Sequence, residues 1–178
     1  WEADKNRQVQ ALTQIQEALE MDQPPSRIEC YDVSNIQGRL TTASMVVFVQ
    51  GVPSKQDYRR FRIRTVRGPN DYAAMAEVLQ RRFKRAREHQ AKRSVGGKEN
   101  RWAIMPDLVI VDGGKGQLSV ALEAMEEMGV DHIPVAALAK QEEALFLPGR
   151  PAPISLPRDS QGLYLLQRIR DEAHRFAV

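Results

Sequence analysis

Two aspartates stand at positions where a charged side chain is costly unless something binds it. Asp32 comes late in the hydrophobic segment 28–33, and Asp112 ends a second such segment, 107–112. If these segments are adjacent parallel strands, both carboxylates reach the same edge of a sheet, where the functional groups of open α/β sheets gather. Two carboxylates a few ångströms apart repel each other unless a divalent cation lies between them. The pair is therefore a candidate metal site.

A histidine near the end of the chain suits the same chemistry. Leu166, Ile169 and Ala173 predict the buried face of a helix, and His174 lies at the edge of that face. An imidazole in this position can bind a metal or accept a proton near neutral pH. Taken separately, His174 is also compatible with a packed or capping residue, and Asp32 with a side chain that closes a turn.

A glycine-rich run, Gly-Gly-Lys-Gly at residues 113–116, follows Asp112 directly. The spacing excludes a P-loop, because Val109 and Gly116 occupy the positions where that motif requires Gly and Ser or Thr. Two interpretations remain. The glycines let the backbone and Lys115 approach a phosphate group beside the metal, or they only form a tight turn between a strand and a helix.

The elements that position these residues follow from hydrophobic periodicity. Strands are predicted at 28–33, 42–50, 59–67, 107–112 and 135–139, and helices at 3–21, from Asp71, at 117–128 and at 160–176, with a loop or hairpin at 140–157. After the first helix the order is βββ–α–β–α–β–α. It predicts an α/β protein of the ribonuclease H-like fold, with a five-stranded mixed sheet and helices on both faces. We expect residues 1–25 to form an N-terminal helix and linker, and residues 26–178 the domain itself.

The positive charge of the chain is concentrated in one segment. Residues 55–101 hold fifteen Lys and Arg against five Asp and Glu, a net charge of +10, whereas the other 131 residues hold eleven against eighteen, or −7. Arg60, Arg62 and Arg64 alternate with less polar residues in the third predicted strand and so share one face. We expect this face, and a mobile basic loop at 81–101, to hold nucleic acid by its phosphates. The alternative is a solvated face or a disordered loop.

Several protein classes do not fit the composition. A single cysteine, Cys30, excludes an internal disulfide and, with only three histidines, argues against a Cys/His zinc cluster. No apolar run is long enough for a membrane span, and the first residues do not resemble a signal peptide. We expect a cytoplasmic protein with no membrane partner.

Four segments of the sequence closely resemble, in the right order, the carboxyl-terminal endonuclease domain of UvrC. They are IECYDVSNIQG at 28–38, GPNDYAAM at 68–75, PDLVIVDGGKGQL at 106–118 and RDEAHRFA at 170–177. The resemblance covers nearly the whole chain. It implies a ribonuclease H-like domain that makes the incision on the 5′ side of a lesion in bacterial nucleotide excision repair.

The resemblance also implies a set of site residues. The family's Asp-Asp-His active site falls on Asp32, Asp112 and His174, which the positions of the residues had already indicated. The family attributes importance to the residue matching Asp71, which also stands at a predicted helix start where a carboxylate stabilises the first turn. Ribonuclease H relatives place a metal-binding glutamate where Glu77 stands.

The expected cofactor is Mg²⁺ or Mn²⁺, and the expected substrate is damaged duplex DNA rather than a small molecule. UvrA and UvrB are expected as partners by family resemblance. Neither the GIY-YIG nuclease module nor the helix-hairpin-helix region of the full-length family is in the sequence, so it reads as an excised domain. The alternatives are a non-catalytic nucleic-acid-binding module, a ribonuclease of the same fold, and a transposase or integrase relative. The histidine counts against the last of these.

Overall fold

The computed structural model describes residues 2–36, 40–65, 70–91, 100–139 and 144–177. Within these ranges seven strands form one sheet: β1 (Arg27–Ile36), β2 (Leu40–Val49), β3 (Val52–Pro53), β4 (Arg59–Arg62), β5 (Leu108–Asp112), β6 (Val135–Ala139) and β7 (Ala144–Phe146). The helices there are α1 (Glu2–Leu19), α2 (Asp71–Ala91), α3 (Lys115–Glu127) and α4 (Gln161–Ala177), with short 3₁₀ turns at Lys55–Asp57 and Arg101–Ala103.

Strand β1 lies at the centre of the sheet, whose order is β3-β2-β1-β5-β6-β7 with β4 also paired to β2. It runs antiparallel to β2 and parallel to β5, while β5 and β6 are parallel as well. The five predicted strands are all present, and the first and fourth of them are adjacent and parallel as the site requires. The short strands β3 and β7 are additional, and β7 lies in the region predicted as a loop or hairpin.

Helices cover both faces of the sheet, which confirms the predicted fold class. Helices α1 and α4 pack on one face of the sheet over one hydrophobic cluster, and α2 and α3 pack on the other face over a second cluster. Residues 108–111 of β5 are buried, as expected for a strand covered on both sides. Helix α1 contributes Ile15 to the core, and its Gln14 side chain accepts a hydrogen bond from the backbone of Gly162 in α4. None of the helices in the described ranges has the length and apolar character of a transmembrane span.

The basic segment 81–101 differs from the mobile loop predicted for it. Residues 81–91 are the second half of α2, and Arg101 begins a 3₁₀ turn, while residues 92–99 lie outside the described residues. The prediction was wrong because charge hid the helical pattern. Leu79, Phe83 and Ala86 continue the buried face at spacings of four and three, and Arg82 lies buried beside them.

Strand β4 is shorter than the predicted third strand, which extended to residue 67. It ends at Arg62, and its burial alternates as expected only around Phe61. Beyond this point the backbone N–H groups of Arg64 and Thr65 donate to the side chain of Glu77 instead of to a neighbouring strand. The remaining part of the prediction, residues 66 and 67, lies outside the described residues.

Candidate active site

The parallel pairing of β1 and β5 brings the two aspartates to one edge of the sheet. Tyr31 pairs with Val111, so Asp32 and Asp112 follow one residue further along each strand. Asp32 alternates with the buried Tyr31 and turns toward the face covered by α4, where it is 6% exposed. Asp112 is half-buried at the end of β5. The sheet register itself therefore places the carboxylates side by side.

Helix α4 supplies the third side chain. Its C-terminal part is held on the sheet by the buried Ala173, whose carbonyl accepts a hydrogen bond from the Ser44 hydroxyl at 3.3 Å. The next residue, His174, has its Nε2 2.7 Å from Asp112 Oδ2 and its Nδ1 3.6 Å from Asp32 Oδ2. One imidazole thus faces both carboxylates.

The surroundings of Asp32 disfavour its charged form. Burial, the largest cause, and the negative charge of Asp112 raise the pKa of Asp32 to about 6, although His174 acts in the opposite direction. A carboxyl whose pKa lies this far above its ordinary value is one whose charge the surroundings leave only partly compensated. A cation at this point would compensate the negative charge that burial and the second carboxylate disfavour.

The residues present fit a divalent cation. One donor atom from each of Asp32, Asp112 and His174 lies within 4.8 Å of the other two. His174 Nε2 is buried and makes no hydrogen bond within the described residues, although Asp112 Oδ2 lies 2.7 Å away. Two carboxylate oxygens and a neutral imidazole nitrogen are ordinary ligands of a divalent metal.

Comparison with known proteins identifies the family. A model of the UvrC RNase H endonuclease domain matches residues 16–178. The chain belongs to this family. It is 52% identical over 173 residues to UvrABC system protein C of Desulforudis audaxviator and 51% identical over 168 residues to that of Moorella thermoacetica, covering 95% and 94% of this chain.

The chain spans only about a quarter of the length of these curated relatives, 28% and 26%. Among solved structures, human ENDOV is similar over 86% of this chain and 87% of its own, with 12% sequence identity and a TM-score of 0.42. A likeness this low identifies no function. The family assignment rests on the sequence match.

Asp71, which the UvrC family motif singles out, lies outside the group of three. It is the first residue of α2 and is exposed, and its Oδ1 accepts a 2.7 Å hydrogen bond from Asn35 Nδ2 near the end of β1. Thr41 in turn donates to Asn35 Oδ1. The cap itself is Asn70, which accepts from the backbone of Ala73. The hydrogen bond from Asn35 thus holds the Asp71 side chain near the end of β1, the strand that carries Asp32.

Glu77 does not join the other carboxylates either. It is buried on α2, where its two oxygens accept hydrogen bonds from the backbone of Arg64 and Thr65, from the Thr65 hydroxyl and from Arg81. Burial raises its pKa, but these hydrogen bonds, with that of the Thr65 side chain first, bring the pKa below its ordinary value. Glu77 therefore caps the backbone beyond the end of β4 and lies outside the group formed by Asp32, Asp112 and His174.

The glycine run after Asp112 is explained largely by internal packing. Gly113 has φ +146°, and a Cβ there would lie 2.5 Å from Gln117 Cγ, while a Cβ on Gly116 would lie 2.4 Å from the Tyr72 hydroxyl. Gly113 therefore supports the tight-turn interpretation, whereas Gly116, inside α3, permits the close approach of Tyr72 from α2. Lys115 is nevertheless exposed at the first position of α3, next to the aspartate edge.

The three arginines of the predicted phosphate-binding face have different surroundings. Arg60 donates twice to the Phe176 carbonyl, at 3.2 and 3.0 Å, and stacks on the Phe176 ring at 4.2 Å, so it fixes the end of α4. Arg62 and Arg64 are both exposed. The structure therefore gives Arg60 a role within the fold and leaves Arg62 and Arg64 at the surface.

A buried ionic network went unnoticed in the sequence. Arg82, which is fully buried, donates to both oxygens of Glu29 at 3.0 and 2.9 Å, and Tyr31 and Arg27 donate to the same carboxylate. Arg27 also contacts Asp57, as does Arg101. Glu29 inside a hydrophobic strand was the available signal, because a buried carboxylate requires a partner.

Proposed function

We propose that this domain hydrolyses a phosphodiester bond of DNA and makes the 5′ incision beside a lesion during nucleotide excision repair. The observation that carries the proposal is the convergence of Asp32, Asp112 and His174 on one point in a member of the UvrC endonuclease family. The two neighbouring carboxylates, one of them with a raised pKa, support a reaction that depends on a cation.

Asp32, Asp112 and His174 would hold Mg²⁺ or Mn²⁺. Such a cation supplies positive charge for the scissile phosphate and makes water a stronger nucleophile. Because His174 Nε2 is buried against Asp112 rather than open to solvent, its position supports a ligand role more than a general-base role. Asp32 and Asp112 orient the site from the rigid strands β1 and β5, which fixes the geometry that in-line attack requires.

Exposed basic groups around this edge would hold the DNA. The N-terminus of α3 and Lys115 follow Asp112 directly, so a phosphate beside the aspartates meets a positive helix end and a lysine. Arg62 and Arg64 extend the positive surface along the sheet. Contacts of this type go to phosphates and carry no sequence information, which suits an enzyme that cuts beside damage in any sequence.

The remaining expectations about the family also stand as proposals. We propose UvrA and UvrB as the partners that deliver the lesion, and the bacterial cytoplasm as the compartment. The two relatives compared above carry the name UvrABC system protein C. We also keep the division into an N-terminal helix at 1–25 and a domain at 26–178 as a proposal.

Incision of an end-labelled duplex with Mn²⁺ tests the proposed function. Asp112→Asn and His174→Ala should each lower the cutting rate by a factor on the order of 10² or more, because each removes a group that a metal-dependent reaction needs. Asp159→Asn removes one charge at an exposed position before α4, far from His174, and should cut at the wild-type rate.

The outcome also separates the alternatives. Equal cutting by wild type, Asp112→Asn and His174→Ala would contradict the assignment of the site. Cutting of a matched RNA duplex at a higher rate than DNA would favour the ribonuclease alternative, and DNA binding without cutting under any divalent metal would favour a non-catalytic binding module.

A further inference from the structure

A second positively charged surface lies away from the candidate active site. Between β4 and α2 there is a cleft of about 370 Å³. Six cationic side chains line it: Arg59, Arg60, Arg64, Arg81, Lys84 and Arg85. Two of them already have partners within the fold, because Arg60 donates to the Phe176 carbonyl and Arg81 forms an ion pair with Glu77. Glu88 is the one acidic residue among the described residues of its lining. So many like charges around one cavity repel each other and favour an anionic occupant with several charges.

Aromatic rings form the floor of this cleft. Trp102 and Phe61 pack edge to face with their centroids 6.0 Å apart. Guanidinium groups lie over the Trp102 ring, that of Arg85 at 4.8 Å and that of Arg59 at 5.2 Å. Trp102 is only partly buried. An aromatic platform among long cationic side chains is the arrangement by which proteins bind single-stranded nucleic acid.

The sheet register connects this cleft with the active site. Asp32 pairs with Ser44, and Ser44 pairs with Arg60 of β4. Two strand spacings separate Asp32 from β4, which is about 10 Å. This is about the length of three nucleotides of a stacked strand at 3.4 Å each. The aspartates lie on the face covered by α4 and the cleft on the face covered by α2, so a strand bound at both would pass around β4, which pairs with β2 on the side away from β1.

We infer that the cleft around Trp102 binds a single-stranded segment of nucleic acid, with its phosphates on the arginines and Lys84 and a base stacked on Trp102. The carbonyls of Gln56 and Tyr58 hold the Arg59 guanidinium in place. The Arg85 guanidinium is the one that would turn toward a phosphate and leave its side of the ring to a base. The inference rests on the proposed function in that the bound strand belongs to the DNA being cut. It deepens that function by adding a subsite for unpaired bases.

The rings are what favour a single strand over other polyanions. Duplex DNA offers phosphates but keeps the faces of its bases stacked inside the helix, and an acidic peptide offers charge without a planar π-system. A site that needed only charge would have no use for Trp102 between Arg59 and Arg85. Trp102 packs against Phe61 within the fold, and the part of its ring that is exposed offers a stacking surface to a ligand with an exposed base.

Tryptophan fluorescence tests this directly, because the sequence has only two tryptophans. In a Trp1→Phe background, Trp102 is the reporter. Titration with a short oligothymidylate, in EDTA so that no cutting occurs, should quench its emission. A duplex of equal phosphate content should bind with much less quenching. This experiment needs no cutting, so its failure and that of the proposed nuclease function are distinguishable.

Binding of a labelled oligothymidylate by variants completes the test. Trp102→Ala should weaken binding roughly fivefold or more, and Trp102→Phe, which keeps a ring in the packing with Phe61, should fall between it and wild type. Arg85→Ala should lower the slope of log affinity against log salt by about 0.7, the value for one phosphate contact on a single strand. Arg158→Ala removes the same charge at an exposed residue outside the cleft and should leave the slope unchanged.

Two results would overturn the inference. One is unchanged affinity of Trp102→Phe and Arg85→Ala for the oligomer when both variants melt at the wild-type temperature. The other is equal quenching by polyglutamate of matched charge, which would show that the cleft recognises negative charge without a base.

Discussion

Strand β1 carries two buried carboxylates three residues apart, and their surroundings shift the two pKa values in opposite directions. Burial raises the pKa of Glu29, but the charge and hydrogen bonds of Arg82, with help from Arg27 and Tyr31, bring it below its ordinary value. Burial and the charge of Asp112 raise the pKa of Asp32 to about 6, although His174 acts in the opposite direction. One carboxylate is neutralised from within the chain and the other is not.

The difference separates a structural charge from a functional one. Glu29 has a guanidinium on both of its oxygens and ties β1 to α2, so nothing further needs to bind it. Asp32 stands beside a second carboxylate and an imidazole with a buried nitrogen that makes no hydrogen bond in the described structure. A site that leaves negative charge uncompensated destabilises the fold unless a cation completes it.

The largest effect on stability is expected at the neutralised carboxylate. Arg82→Met should lower the free energy of unfolding by about 3–5 kcal/mol, because it leaves Glu29 charged, buried and without its main partner. Urea unfolding at neutral pH measures this. The exposed Arg158→Met should change the value by no more than about 0.5 kcal/mol.

A double variant sharpens this prediction. Glu29→Gln added to Arg82→Met removes the unpaired charge and should restore part of the lost stability. A loss below about 1 kcal/mol for Arg82→Met alone would mean that Glu29 is not the buried charge that the geometry indicates.

A smaller effect is expected at Asp57, at the outer end of the same network. Burial raises its pKa, but hydrogen bonds from Arg101 and Ser54 and the charges of Arg27 and Arg101 lower it to about 2. A carboxyl with a lowered pKa stabilises the fold fully above its unfolded pKa near 4, and this contribution is lost as the pH falls toward 2.

Unfolding free energies at pH 5 and pH 2.5 measure this contribution. It is on the order of 2 kcal/mol for a shift of this size. The wild type should lose more stability between the two pH values than Asp57→Asn, which has no carboxyl to protonate at that position. An equal acid dependence of the two proteins would show that Asp57 titrates normally in the folded state.

The sequence was sufficient for the parts of the molecule that periodicity controls. Hydrophobic runs predicted the two strands that hold Asp32 and Asp112, with their parallel pairing as a condition for a shared site, and apolar spacing on the last helix placed His174 at the edge of the buried face. Both predictions correspond to the geometry of the described site. The family motifs gave the same three residues.

What the sequence could not provide is the partner of each charge. Arg82 looked like one more basic residue of a mobile loop, although its neighbours Leu79 and Phe83 mark the buried face of α2. Glu77 was a candidate metal ligand, and its true partners are backbone groups beyond β4. The contacts of Trp102 with Arg59 and Arg85 could not be predicted, because the three residues come from separate elements. These pairings are set by tertiary packing, which local patterns do not encode.

The most direct test of the central claim is the effect of Mn²⁺ on the melting temperatures of the wild type and Asp32→Asn. At about 100 times its dissociation constant, Mn²⁺ should stabilise the wild type by about 2.7 kcal/mol, a rise of roughly 5–10 °C for a domain of this size. Without metal, Asp32→Asn should melt at the same temperature or higher, because it relieves the repulsion between Asp32 and Asp112, and Mn²⁺ should leave it unchanged. An equal Mn²⁺ shift in both proteins would contradict the claim that the uncompensated aspartates of β1 and β5 form the metal centre.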